Sequence, residues 1–303
     1  SNGAFRAAYG REPGPFEVSK VRAEQSNTSI RFGERLILKL IRRLDPGINP
    51  HLEIGRFLTE KGFEHVPHIA GAMEYSKGRG ERMTIAILEH FVPNEGDAWT
   101  YTVDVLGRYF ENILAVRPDE GVANTIPDLA AEAMQLPVPP EAFELIGPYL
   151  ESARLLGQRT AELHVVLSSA EADTEFAPVP FTKLYQRALY QSMRTLTRKV
   201  FKTLSQEADS LPAGTLEELP SLPGLEKEIL ARFQAVPQRK LSGMRIRCHG
   251  DYHLGQVLHT GKDFAIIDFE GEPARPISER RIKRSPLKDV AGMLRSFHYA
   301  AHS

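Results

Sequence analysis

Three side chains in the last fifth of the chain have the types and spacing to hold one ion and move one proton. They lie in RCHGDYHLGQVLHTGKDFAIIDFEGE, residues 247–272, where Gln256 follows Asp251 by five residues and Asp268 follows Gln256 by twelve. Asp268 closes the apolar run FAII. Transfer of a phosphoryl group from a nucleoside triphosphate needs such a set. A carboxylate orients or deprotonates the attacking hydroxyl, and hard oxygen ligands hold Mg2+ beside the phosphates. His249-Gly250-Asp251 alone is a tripeptide that recurs by chance; the whole order, with a hairpin before the last member, is far more specific.

Protein kinases use an Asp, an Asn five residues later and a second Asp at a strand end, and this chain has the same order. The upstream sequence supplies a complement. Lys39 lies inside LILKLI, where an unpaired ammonium is costly to desolvate. A strand lysine of this kind bonds nucleotide phosphates and pairs with a helix glutamate, and Glu53, fourteen residues on, is the expected partner. Taken alone, Lys39 reads equally well as a lysine on the solvent side of a strand. No Gly-rich phosphate loop precedes it. The connection there reads Glu24-Gln25-Ser26-Asn27-Thr28-Ser29, whose small polar side chains suit either phosphate contacts or a plain polar hairpin.

The elements that must position these residues follow from periodicity. EVSKVRAE and RLILKLIRR read as strands, with NTSIRFGE as a tight connection between them. HLEIGRFLTEKG reads as a short helix ended by Gly62, and IAGAMEYS and MTIAILEHF as a hairpin about KGRGER. VPNEGD breaks the pattern, which places a linker at 92–98 between a lobe at 1–91 and a mainly helical lobe at 99–303. In that second lobe YTVDVLGRYFENILAV, PPEAFELIGPYLESARLLGQRTAELHVVL and FTKLYQRALYQSMRTLTRKVFKTLSQEA have helical periodicity. Residues 118–140 and 209–226 read as loops, 255–259 and 263–268 as strands, and 288–301 as a closing helix. The fold class expected is α+β: a sheet lobe with one helix, then a helical lobe.

Composition excludes several classes. Lys and Arg total 38 against 39 Asp and Glu, a net charge of -1, which argues against nucleic-acid and polybasic membrane binding. No apolar run is long enough for a membrane span, the start SNGAFRAAYG is no signal peptide, and the single cysteine, Cys248, fits a reducing compartment. A cytoplasmic protein is expected.

HGDYHLGQVL, IIDFEGEP, AEQSNTSIRFGERLILKLIRRLDPGINP and VPNEGDAWTY together resemble maltokinase, both the free-standing enzyme and the domain fused to trehalose synthase. The resemblance runs from about residue 16 to the end of the chain. It implies a bilobal, aminoglycoside-phosphotransferase-like and protein-kinase-like fold, and ATP- and Mg2+-dependent phosphorylation of maltose to maltose 1-phosphate. Carried over by position, Asp251 is the catalytic base, with Gln256 and Asp268 as metal ligands. Lys39 and Glu53 form the phosphate-binding pair, Ser26, Asn27 and Thr28 belong to the nucleotide site, and the main chain from Glu89 to Phe91 holds the adenine. A trehalose synthase, fused or associated, is the partner implied. The N-terminal cap usual in the family is cut short here, and further helices are expected beyond RSFHYAA. Two alternatives stand beside maltose. One is another small-molecule kinase on the same fold, with a choline-like or aminoglycoside acceptor; the other is a non-catalytic nucleotide-binding module.

Three further features have two readings each. ARPISERRIKRSPLK is either positive potential beside the phosphates or a solvated basic loop, and as potential it disfavours polycationic acceptors. Asp97, Trp99 and Tyr101 either contact a sugar or pack at the lobe junction. Asp289 either braces the catalytic loop or caps its own helix. His249 is expected to brace that loop rather than to titrate.

Overall fold

The computed structural model describes Phe5 and residues 16–21, 27–76, 78, 80–116, 140–171, 174–207 and 222–303. Strands β1 (Val18–Lys20), β2 (Asn27–Phe32), β3 (Leu36–Ile41), β4 (Ile69–Tyr75) and β5 (Met83–His90) form an antiparallel sheet ordered β1-β2-β3-β5-β4. NTSIRF, expected to be a connection, is therefore strand β2. Its buried positions are Asn27 and Ser29, so its alternation is polar-inward and leaves no hydrophobic signal.

Helix α1 (Pro50–Glu60) crosses behind the sheet. Asn49 caps it by accepting the Leu52 N–H at 3.2 Å, and Pro50 fits the first helical position, where no N–H is needed. It ends before Gly62, which adopts φ 68. Leu52 packs on Ile69 and Ile87 of the sheet, while Ile54 and Leu58 enter the main core. Gly55 permits the approach: a Cβ there would lie 2.7 Å from Ile69 Cδ1.

The remainder is mainly helical: α2 (Ala98–Val116), α3 (Pro140–Ile146), α4 (Tyr149–Leu167), α5 (Lys183–Gln206), α6 (Leu222–Phe233), α7 (Ala235–Gln238), α8 (Ile277–Arg280) and α9 (Leu287–Ala300). The helix expected from 139 to 167 is broken at Gly147, φ 48, and Pro148, which cannot continue the hydrogen-bond ladder. Helix α6 begins inside a segment expected to be loop. Its Pro223 occupies the first turn, where proline is tolerated. The loop expected at 118–140 lies almost wholly outside the described residues. Short strands β6 (Val179–Pro180) and β7 (Met244–Arg245) pair, as do β8 (Val257–His259) and β9 (Phe264–Ile266).

The chain divides into two compact units, Ser1–Ala177 with Ile246–Ser303, and Pro178–Arg245. In the smaller, the buried Gln186 amide of α5 donates to the carbonyls of Val236 and Arg239, both at 2.7 Å. The larger holds the sheet, with its small cluster on Leu52, and the main core, built from α1, α2, α4, α9 and the β8–β9 hairpin. No helix among the described residues is long and apolar enough to cross a membrane.

Candidate active site

The β8–β9 hairpin pairs Val257 with Ile266, and the Ile267 N–H donates to the Gln256 carbonyl at 3.0 Å. Gln256 closes a 3-10 turn (Leu254–Gln256) just before the first strand, and Asp268 follows the second, so both stand at one end of the hairpin. Asp268 is the one non-glycine residue with positive φ, at 65°, among the described residues. That left-handed backbone is a strained conformation that surrounding contacts must hold. Its Oδ1 is buried with no hydrogen-bond partner among the described residues.

Two contacts fix the Asp268 segment to the loop carrying Asp251. His249 Nε2–H donates to the Ile267 carbonyl at 2.8 Å, and its imidazole is fully buried, which pushes its pKa down and keeps it neutral. Gly250, φ 89, lies against Gly271: a Cβ on Gly250 would be 3.3 Å from Gly271 Cα. Asp289 supplies the brace. Its carboxylate accepts the N–H groups of His249 and Gly250 at 2.9 and 3.0 Å and His164 Nε2–H at 3.0 Å. Burial alone would raise its pKa, but the His164 bond and the other partners outweigh it, and Asp289 stays below the usual carboxylate value. The brace is thus what this aspartate does, and His249 braces rather than titrates.

Asp251 opens onto a cleft of about 480 Å³ lined also by Trp99, Glu272, Lys288, Arg295 and Tyr299. The Lys288 ammonium donates to the Gly250 carbonyl. Of the three sugar candidates, only Trp99 lines this cleft. Asp97 instead caps α2 through the Thr100 N–H at 2.8 Å, and Tyr101 stacks on His259 at 4.1 Å and bonds Ser152.

The pairing expected between Lys39 and Glu53 is different in the structure. The Lys39 ammonium lies 3.3 Å from Glu89 Oε2, and Glu53 is held by Arg247 at 2.7 Å and by Arg281 in a two-bond fork at 2.7 and 3.0 Å. The cause is register. Lys39 pairs with Ile87 and Ile37 with Glu89, so Lys39 and Glu89 share one sheet face, and Ser29, opposite Lys39, joins them. Along α1 it is His51, two residues from Glu53 and so on another side of the helix, that reaches this group. His51 Nε2–H donates to Glu89 Oε1 at 2.6 Å, and its Nδ1 accepts the Phe269 N–H at 2.9 Å. Burial would raise the Glu89 pKa, but Lys39 and His51 override it and hold the carboxyl down at about 2.

Of the other nucleotide-site candidates, Ser26 lies outside the described residues. Asn27 is buried and its amide donates to Glu270 Oε1 at 2.7 Å, and Thr28 pairs with Leu40. At Glu89–Phe91 the His90 N–H is taken by the His68 carbonyl and the Phe91 N–H by the Arg35 carbonyl, at 2.9 and 2.8 Å. Those two donors are therefore engaged within the protein. The basic stretch is folded in rather than solvated. Arg275 pairs with Glu272 and Glu279, Arg280 donates to the carbonyls of Arg275 and Pro273, and Arg281 binds Glu53.

Sequence reasoning missed His51, the Glu89 side chain and Arg247, and had Lys288 only as one cation of the basic stretch 274–288. Glu89 had a readable signal. It is a carboxylate inside the apolar strand MTIAILEH, the counterpart of Lys39 inside LILKLI. His51 had none, because its partners come from β5 and from Phe269, 218 residues away.

A sequence profile described as "Phosphotransferase enzyme family" matches residues 141–271. Glucosamine kinase of Mycolicibacterium smegmatis is 23% identical over 307 residues, covering 98% of this chain and 61% of that protein. Glucosamine kinase of Streptacidiphilus jiangxiensis is 24% identical over 280 residues, covering 91% and 53%. Among solved structures, glucosamine kinase in complex with glucosamine, ADP and inorganic phosphate matches with a TM-score of 0.65 at 22% identity, over 93% of this chain and 59% of that one. The likeness shows a kinase-like fold with an antiparallel N-terminal sheet and a helical C-terminal region. The chain spans under two thirds of each of these relatives.

Proposed function

We propose that this chain is an ATP-dependent phosphotransferase acting on a sugar hydroxyl, with a glucosamine-like amino sugar as acceptor in preference to maltose. The relatives are glucosamine kinases, which favours the small-molecule-kinase alternative and gives no support to maltose or to a trehalose synthase partner. The observation that carries the reading is the Asp268 segment: a buried, unpartnered carboxylate oxygen on a strained backbone, locked to the loop of Asp251. Such an oxygen fits a hard cation, and the Gln256 amide oxygen at the same hairpin end is the second ligand. Among the described residues no cluster of three or more His, Cys, Asp or Glu could hold an ion alone, which suits an ion shared with nucleotide phosphates. Mg2+, when bound, neutralises charge on the phosphates.

In this reading residues 1–91 form the nucleotide lobe, 92–98 the linker and 99–303 the catalytic lobe. Lys39 bonds phosphate oxygens, Asn27 and Thr28 border them, and the chain near Glu89–Phe91 faces the adenine. Glu53 is reassigned to anchoring α1. Asp251 accepts the proton of the acceptor hydroxyl as its oxygen bonds the γ-phosphorus and ADP leaves. The cleft beside Asp251 mixes Glu272 with Lys288 and Arg295. The Arg275 hydrogen bond outweighs burial and keeps Glu272 ionised. One ammonium on a sugar ring suits this mixture better than a polycationic aminoglycoside does.

The test is calorimetry with Mg2+-ATP together with ADP release in the presence of glucosamine, glucose, maltose or kanamycin. Turnover with glucosamine above that with maltose is expected. Nucleotide binding without turnover on any sugar would favour the non-catalytic alternative, and absence of nucleotide binding would overturn the reading.

A further inference from the structure

We infer that His51 is a positioning residue that sets Lys39 and Asp268 together, one nitrogen serving each. The inference rests on the phosphotransferase reading and goes beyond it. Two buried side-chain oxygens, Ser29 Oγ and Asp268 Oδ1, lack a hydrogen bond among the described residues, and Glu89 Oε2 is ion-paired with Lys39 at 3.3 Å. Ser29 pairs with Lys39 in the sheet, Glu89 Oε2 faces the Lys39 ammonium, and Asp268 precedes the residue whose N–H His51 accepts. His51 is 2% exposed and stands between them.

Each ring nitrogen has one task. Nε2–H fixes Glu89 by a 2.6 Å bond, so that the other carboxylate oxygen faces Lys39. Nδ1 accepts the Phe269 N–H at 2.9 Å, and this peptide directly follows the left-handed backbone of Asp268. A neutral imidazole with its proton on Nε2 satisfies both bonds at once, since one nitrogen then donates and the other accepts. The ring also stacks on Phe269 with centroids 6.4 Å apart. An Asn or Gln amide can replace one of the two ring nitrogens but not both, which is what sets the imidazole apart here. Helix α1, which carries it, is itself anchored on another side by Glu53 on Arg247 and Arg281. The distance between the phosphate-binding lysine and the metal-binding aspartate is thereby set by one helix.

The two amide substitutions separate the tasks. In His51→Asn the side-chain oxygen replaces Nδ1 and the Glu89 bond is lost; in His51→Gln the amide nitrogen replaces Nε2 and the Phe269 bond is lost. Calorimetry of the full chain with ATP, with and without Mg2+, reads both. For His51→Asn we expect ATP affinity about tenfold weaker, the effect of losing one charge-assisted bond, with the Mg2+ concentration for half-saturation unchanged. For His51→Gln we expect that Mg2+ concentration to rise severalfold, with metal-free ATP affinity kept. Wild-type behaviour in both folded variants would overturn the inference, as would equal losses in the two. Should either variant fail to fold, imidazole nitrogen NMR of the wild-type protein decides the matter. The His51 Nε2–H signal should shift on adding Mg2+-ATP and stay put on adding glucosamine alone; a signal indifferent to Mg2+-ATP would sink the idea. If wild-type protein binds no nucleotide, the phosphotransferase reading falls and this inference with it. If it binds nucleotide and His51 does not respond, only the inference falls.

Discussion

Two regions on either side of the β8–β9 hairpin end treat buried polar atoms in opposite ways. Around Asp289 the atoms are satisfied. Both carboxylate oxygens accept hydrogen bonds, His249 uses both ring nitrogens, Thr160 pairs with Tyr252 at 2.9 Å, and Ser296 accepts the Leu254 N–H at 3.1 Å. Around Lys39 and Asp268, Ser29 Oγ and Asp268 Oδ1 are buried without such a bond among the described residues, and Glu89 Oε2 has the Lys39 ammonium at 3.3 Å. An unpaired buried polar group costs roughly 1–3 kcal/mol, so a protein keeps several together only where something else pairs with them. The satisfied region is a scaffold for the loop that carries Asp251; under the proposed phosphotransferase reading, the other is where a ligand's phosphates and cation would complete the set.

The largest effect expected from breaking this contrast is on rate. Asp251→Asn should lower turnover by roughly 10²–10⁴-fold and leave Mg2+-ATP affinity nearly intact, whereas Asp268→Asn should lose affinity together with rate. Steady-state kinetics alongside titration calorimetry distinguish the two, and near wild-type turnover in Asp251→Asn would refute the role of this loop. Stability should follow the opposite order. Asp289→Ala strands the N–H groups of His249 and Gly250 and should cost about 3–5 kcal/mol by denaturant unfolding. Asp268→Ala removes an unpartnered oxygen and should leave the unfolding midpoint within about 1 kcal/mol of wild type, or above it.

A smaller effect is expected where α9 meets the loop that carries Asp251. A Cβ on Gly292 would lie 2.6 Å from the Tyr252 carbonyl oxygen, so Gly292→Ala must move helix or loop, at about 1–3 kcal/mol and with loss of turnover. Gly107, exposed on α2 with no atom within 4 Å of such a Cβ, is the control. Gly107→Ala should stabilise by up to about 1 kcal/mol and leave activity unchanged. The most gradual effect is with acid. Glu89 is depressed from 4.5 to about 2, and Asp289 lies below 3.8. Carboxylates depressed on folding add stability that is fully present above their unfolded values and lost as pH falls through their folded ones. Unfolding free energy should therefore decline from about pH 4.5 toward pH 2, with a shallower slope in Glu89→Gln.

The placing of the candidate residues could be read from the sequence where they are close along the chain or mark themselves locally. Asp251, Gln256 and Asp268 span eighteen residues around one hairpin, and strand alternation with a turn at Thr260–Asp263 suffices to bring them to one end. Lys39 announced itself as a charge in an apolar strand. Helix α1, strands β3 to β5 and the closing helix follow from periodicity for the same local reasons. Strand β2 escaped because it turns its small polar side chains inward, and α6 because prolines in a first turn resemble those of a loop.

What periodicity cannot supply is which of two opposite charges meets which. Glu53 and Glu89 were equally available to Lys39 in the sequence, and both sit in amphipathic surroundings. Sheet register put Glu89 on the lysine's face, and helix phase turned Glu53 toward Arg247 and Arg281 while turning His51 inward. Most of the local elements and the carboxylates of the hairpin were legible in the sequence, since those depend on neighbours within a turn or two. The ion-pair partners, the bonds that Asp289 accepts and the place of His51 came from tertiary structure, because each depends on residues that lie from 38 to 228 positions apart in the chain.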